Sequence, residues 1–225
     1  MSAAADNATP KKYARRRGSF GGHVAAKVTR LQTDYLREDS AAVAALARLR
    51  AVAGREPAED FRVLEQTRVA EEYLEDQIGD EPTHTERAMH TALGLYAIHQ
   101  QSIRDIPMHQ DGIGLGAAVS RLAHESDSAD AVRRRFAALG TATSYAAATT
   151  HLRSLVRLLR DHRIALDYGV LAEDLVTLQK PWGPAQVRGR WGREFYRQPE
   201  PGNHRGAGTT DPNTDSAPAG ATSEE

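Results

Sequence analysis

The chain has 225 residues, no cysteine, 29 Lys and Arg against 30 Asp and Glu, and a formal charge of −1. The lack of cysteine excludes a disulfide-stapled scaffold, thiolate metal sites and thiol catalysis, and no apolar run approaches the length of a membrane span. The near-neutral total hides a dipole: Asp130 to Gln198 carries 12 Lys and Arg against 6 Asp and Glu, whereas Arg55 to Glu86 carries 3 against 11.

The first segment, Met1 to Gly18, is small and polar, with the basic run Lys11, Lys12, Arg15, Arg16 and Arg17. No apolar stretch follows it, so no signal peptide is expected and the cytoplasm is the expected location. Like the Pro-, Gly- and Ser-rich tail over 199–225, it offers too little apolar surface to offset its ordering entropy. Both ends are therefore expected to be disordered and removable without unfolding the rest.

Between them the composition is rich in Ala, Leu, Arg, Glu and Gln, with no β-branched alternation, so the expectation is an all-α fold of about eight helices. Apolar spacing at Val24, Val28, Leu31 and Tyr35 predicts a helix over about Gly22–Glu38. Asp39 and Ser40 offer an N-cap for a second, running to Ala53 and closed by Gly54. Phe61 to Gln77 is a weaker, acidic segment. Thr83-His84-Thr85-Glu86 has capping-box spacing and opens a helix to about Arg104. Pro107 and Gly112 to Gly116 break the pattern, and the boundary between two small bundles, 19–110 and 111–198, is placed there. A short helix to His124 follows, then one over Ala129–Leu139 that Ser128 caps. The longest runs over Ser144–Arg163, with Leu152, Val156 and Leu159 on one face. Further helices are predicted over Leu166–Gln179 and around Val187, Trp191 and Phe195, the last two read as core anchors.

The arginines of this second half recur at helical spacing. Arg153, Arg157 and Arg160 fall within an arc of about 60°, Arg190, Arg193 and Arg197 form a second stripe, and Arg133 to Arg135 add a third cluster. A basic surface carried on helices is the footprint of a polyanion, most commonly nucleic acid. The same stripes also fit solvated helix faces, or an adaptor that pairs with acidic partner proteins. The histidines, among them His84, His90, His99, His109, His151 and His162, show no HExxH and no i, i+4 pair, so no metal or other cofactor is expected. His99-Gln100 is read as a buried polar pair. Gly112-Ile-Gly-Leu-Gly-Ala follows no strand and lacks a P-loop lysine, so it is a weak phosphate motif, read as a loop entering a helix N-terminus where a backbone phosphate contact is one option. No nucleophile–base constellation is present, so no enzymatic activity is expected.

Several strings, in order, resemble the CasB family. They are His23-Val-Ala, Leu46-Ala-Arg-Leu-Arg, Ala92-Leu-Gly-Leu-Tyr-Ala-Ile-His-Gln-Gln-Ser102, Leu115-Gly-Ala-Ala118, Val132-Arg-Arg-Arg-Phe136, His151-Leu-Arg-Ser-Leu-Val-Arg-Leu-Leu159, Ala165-Leu-Asp-Tyr168 and Val187-Arg-Gly-Arg-Trp191. CasB is the small subunit of the type I-E CRISPR surveillance complex, Cascade, and the similarity runs from about Gly22 to Arg197. The resemblance implies a non-catalytic helical protein, present in more than one copy beside the other Cascade subunits. It implies contact with the guide CRISPR RNA and stabilisation of the target and non-target DNA strands of the R-loop. Arg134 and Arg157 match family positions with that role most closely, with Arg133, Arg153 and Arg160 beside them. Lys180, Arg188 and Arg190 lie where basic residues recur.

Overall fold

The computed structural model describes residues 15–57, 60–75 and 80–197. Among these the regular elements are all helices: α1 (Ser19–Leu36), α2 (Ser40–Val52), α3 (Leu64–Thr67), α4 (His84–His99), α5 (Leu115–Glu125), α6 (Ala129–Gly140), α7 (Tyr145–Asp161), α8 (Tyr168–Leu178) and α9 (Gly183–Tyr196). Eight are substantial. The ninth, α3, is a single turn in the acidic segment, between 3-10 turns at Phe61–Val63 and Glu71–Tyr73. The one β feature among the described residues is an isolated bridge between His109 and Leu166.

Local chemistry sets most helix starts. Asp39 accepts from the Ala42 N–H at 2.8 Å to begin α2, and Ser144 accepts from Ala147 at 3.1 Å to begin α7. At α4 both halves of the capping box form, Glu86 N–H to Thr83 Oγ1 at 3.1 Å and Thr83 N–H to Glu86 Oε2 at 2.8 Å. Ser128 sits at the N-cap of α6 without bonding through its side chain. Helix α4 stops at His99, short of the predicted Arg104, because Gln100 captures the following loop. Its amide donates to the carbonyls of Ile103 (2.7 Å) and Ile106 (3.0 Å) and accepts from the Met108 N–H (2.9 Å). Helix α8 starts two residues later than predicted, since Leu166 is held in the bridge to His109.

The helices sort into two packed groups, α1, α2, α4 and α8 in one and α5, α6, α7 and α9 in the other, joined where α7 lies on α4 and α9 on α8. The groups do not follow chain order. Helix α8, beyond the break at Pro107 to Gly116, packs on α1 and α4, and one apolar cluster runs from Val24 to Phe195. Helix α4 is its centre: every residue from Ala92 to His99 is buried, as expected of a helix surrounded on all sides. Trp191 and Phe195 are core anchors, 2 % and 7 % exposed.

The N-terminal arm differs from expectation at its last four residues. Arg15 forks onto both carboxylate oxygens of Asp174, at 2.5 and 2.8 Å, and Arg17 onto Asp167 at 2.9–3.0 Å. Both aspartates lie in the core, 0 % and 1 % exposed. Buried carboxylates demand charged partners, and the arm supplies them. The arm's Lys11 and Lys12, and the tail over 199–225, lie outside the described residues.

His99 and Gln100 form the buried polar pair read from the sequence, both 0 % exposed. His99 Nδ1 lies 3.0 Å from the Tyr168 hydroxyl. Burial drives its pKa down from 6.5 to about 3, and His109 is lowered for the same reason. Below 6.5 the unfolded imidazole takes a proton that the folded one refuses. The stabilisation is therefore complete above pH 6.5 and drains away as the pH falls towards 3. The melting temperature should fall across that window, and His99→Gln should flatten the decline; an unchanged slope in the variant would show that His99 does not contribute.

Candidate nucleic-acid interface

Helices α6 and α7 pack against each other across a short connection, and their amphipathicity sets what faces out. Leu152, Leu155, Val156 and Leu159 of α7 and Val132 and Leu139 of α6 go into the core. Phe136 stacks on Phe195 of α9, ring centres 4.9 Å apart. Of the arginines at the intervening helical positions, Arg133, Arg134, Arg135 and Arg157 are exposed and Arg153 and Arg160 half-buried. A shallow open groove runs between the two helices, with Arg134 and Arg135 on one wall and His151 and Ser154 on the other. Arg157 stands one turn beyond Ser154 on α7. His151, Ser154 and Arg135 are groove residues that helical spacing of arginines does not pick out; the unbroken Arg133 to Arg135 triplet is the available signal for the last.

The eight predicted arginines and lysines fall into distinct environments. Arg134 and Arg157 are exposed, and neither enters an ion pair among the described residues. Arg133 is exposed but pairs with Asp130 at 2.9 Å on its own helix, and Arg160 is half-buried and pairs with Asp161 at 2.8 Å. Arg153, half-buried, turns away from the groove towards the end of α2 at Gly54. Lys180 lies over the exposed ring of Trp182, 5.8 Å from its centre. The two from α9 point inward. Arg188 donates to the Ala142 carbonyl, and Arg190 pairs with buried Asp174 at 3.2 Å. The α9 stripe is thus divided between a core-bound Arg190 and exposed Arg193 and Arg197.

The glycine-rich break is also committed internally. Gly112 takes a positive φ of 80° and donates its N–H to Asp167 at 2.7 Å. Gly116, in the first turn of α5, donates to Glu194 at 3.1 Å. A Cβ on Gly116 would collide with the Trp191 carbonyl, so its lack of a side chain is what lets α5 and α9 touch. The partial positive charge at the α5 N-terminus meets a carboxylate of the protein itself, Glu194, in the place a phosphate would take. Among the described residues no grouping of His, Asp and Glu has the makings of a metal site.

The family model for CRISPR-associated protein Cse2 matches residues 45–196. Among solved structures, CasB from Thermobifida fusca is 38% identical with a TM-score of 0.67, over 81% of this chain and 100% of its own. CasB from Thermus thermophilus is 26% identical with a TM-score of 0.57, over 78% and 97%. A chain of a CRISPR RNA-guided surveillance complex is 26% identical with a TM-score of 0.59, over 78% and 92%. No match is found among curated protein sequences. A family model that covers most of the described helices, joined to a solved relative aligned along its whole length, establishes that the chain belongs to the CRISPR-associated Cse2 family.

Proposed function

We propose that the chain is a non-catalytic subunit of a type I-E Cascade complex, holding nucleic-acid backbone on the face formed by α6 and α7. Family membership and the likeness to a chain of a surveillance complex support the setting. The observation that carries the binding role is that Arg134, on the wall of the α6–α7 groove, and Arg157, one turn beyond it, are exposed and enter no ion pair among the described residues, while Arg133, Arg160, Arg188 and Arg190 are tied to carboxylates or carbonyls. Free guanidinium groups on rigid helices make phosphate contacts that release counterions and are blind to sequence. That suits an R-loop, where base pairing reads the sequence and the energy balance is close enough for a few backbone contacts to tip it. The guide CRISPR RNA and the target and non-target DNA strands are the polyanions concerned, and the other Cascade subunits and a second copy of the chain are the protein partners.

A reading as a purely protein-binding adaptor draws on the acidic segment, where Phe61 is 80% and Leu74 41% exposed beside Glu65, Glu71 and Glu72. Reconstitution separates the two. The tagged chain, expressed with the other subunits and a guide RNA, should co-purify with both and raise the complex's affinity for target DNA. Retention in the complex with no effect on target DNA would leave only the adaptor.

A further inference from the structure

A second depression opens on the far side of α7, apart from the α6–α7 groove. It lies where the end of α2 meets α4 and the start of α7. Three guanidinium groups line it, Arg55 after α2, Arg87 of α4 and Arg153 of α7, with a single carboxylate, Glu56. The side-chain hydroxyls around them are already engaged. Tyr145 bonds to Thr91 at 3.0 Å and Thr150 to the Ala146 carbonyl at 3.0 Å. Arg153 Nε is buried and has no hydrogen-bond partner among the described residues. Gly54, with φ of 93°, brings the backbone against the Arg153 guanidinium, which a Cβ at that position would strike. Arg87 is held from the rim by Glu56 at 3.0 Å and Glu81 at 3.1 Å, both largely exposed.

The cavity measures about 110 Å³, well under the roughly 300 Å³ at which sites for whole small molecules begin. That is room for an oxyanion and no more. Three guanidinium forks against the two carboxylates that hold Arg87, Glu56 and Glu81, leave an excess of positive charge, and planar forks are the donors best matched to phosphate oxygens. Arg157 follows Arg153 by four residues, turned by about 40° on the helix, so it stands between this cavity and the α6–α7 groove. A strand that crosses the groove and Arg157 reaches Arg153 next.

We infer that the Arg55, Arg87 and Arg153 pocket is a receptacle for one phosphodiester of a nucleic-acid strand, with Glu56 as the anion that the phosphate displaces. The inference rests on the nucleic-acid reading given above, and extends the contact surface to α2 and α4, where no basic residue was predicted to bind.

The test titrates the full chain with a short labelled single-stranded DNA at low salt, with inorganic phosphate as a competitor. Arg55→Gln and Arg153→Gln should each weaken DNA binding about three- to tenfold, as expected for loss of a charge-assisted hydrogen bond partly exposed to solvent. Glu56→Gln should strengthen it, which a merely structural role for the pocket would not do. DNA with a neutral methylphosphonate backbone should lose its dependence on Arg55 and Glu56. Thermal melting of each variant confirms folding, and exposed Arg55 gives the cleanest reading. DNA affinity unmoved by Arg55→Gln and Glu56→Gln, while Arg157→Gln weakens it, overturns the pocket and leaves the α6–α7 surface standing. Inorganic phosphate binding that depends on Arg55 and Glu56 while DNA affinity does not shows a site for free phosphate and overturns the strand assignment. A parent chain with no measurable DNA affinity overturns it as well, and leaves the α6–α7 surface to be judged in the reconstituted complex.

Discussion

A chain shortened by its first 17 residues should be less stable than the full chain by about 3–5 kcal/mol, the cost of removing the partner from a buried charge. Asp174 and Asp167 would then sit in the core without Arg15 and Arg17. Neither would be wholly bare. Asp174 keeps the Trp191 indole N–H at 2.7 Å and Arg190 at 3.2 Å. Asp167 keeps the N–H groups of Gly112 and Val170 at 2.7 and 3.0 Å. Those retained donors put the loss at the lower end of the range. Denaturant unfolding of the two chains measures it. The cause can be isolated with Asp174→Asn. In the full chain this substitution leaves Arg15 and Arg190 facing a neutral amide and is destabilising. In the shortened chain it removes an underpaired carboxylate, so it should cost much less. Equal costs in both backgrounds, a coupling energy near zero, would show that the arm stabilises the fold in some other way.

The same network marks the limit of what the sequence discloses. The capping box at Thr83, the Asp39 and Ser144 caps and the apolar face of α7 are local signals, complete within a few residues, and they place the starts of their helices within a turn. The pairing of Arg15 with Asp174 spans 159 positions, and no periodicity encodes it. An arginine beside a stretch poor in apolar residues reads as part of that stretch until a buried carboxylate is seen to claim it. A hint was present: Asp174 falls on the apolar side of α8 among Leu171 and Leu175, where an unpaired charge cannot remain. The position of α8 was hidden likewise, because a break in chain pattern reveals where a helix ends and not which neighbour the next one finds. Helical spacing gathered Arg190 into a stripe with Arg193 and Arg197, yet only packing shows that it turns inward to Asp174. The candidate interface was legible as a basic half of the chain, and the division of its arginines into free and committed was not.

That division gives the largest functional effect expected of any substitution. Arg134→Glu and Arg157→Glu should leave the fold intact, since both side chains are exposed and enter no ion pair among the described residues, and surface changes of this kind stay within about 0.5 kcal/mol. Each reversal should weaken target-DNA binding by the reconstituted complex regardless of target sequence. Each should also make the dependence of affinity on salt shallower, by about one unit of slope for every phosphate no longer held. Arg190→Glu makes the contrast. It sets a second carboxylate against buried Asp174, so it should lower the melting temperature of the isolated chain, and any drop in DNA binding should follow from that. Subunit retention and DNA affinity are scored separately. If Arg157→Glu releases the subunit from its protein partners with no nucleic acid present, the arginine belongs to an adaptor surface. If Arg134→Glu and Arg157→Glu both bind target DNA like the parent at physiological salt, the two free arginines are ordinary solvated charges and the α6–α7 face is not the interface.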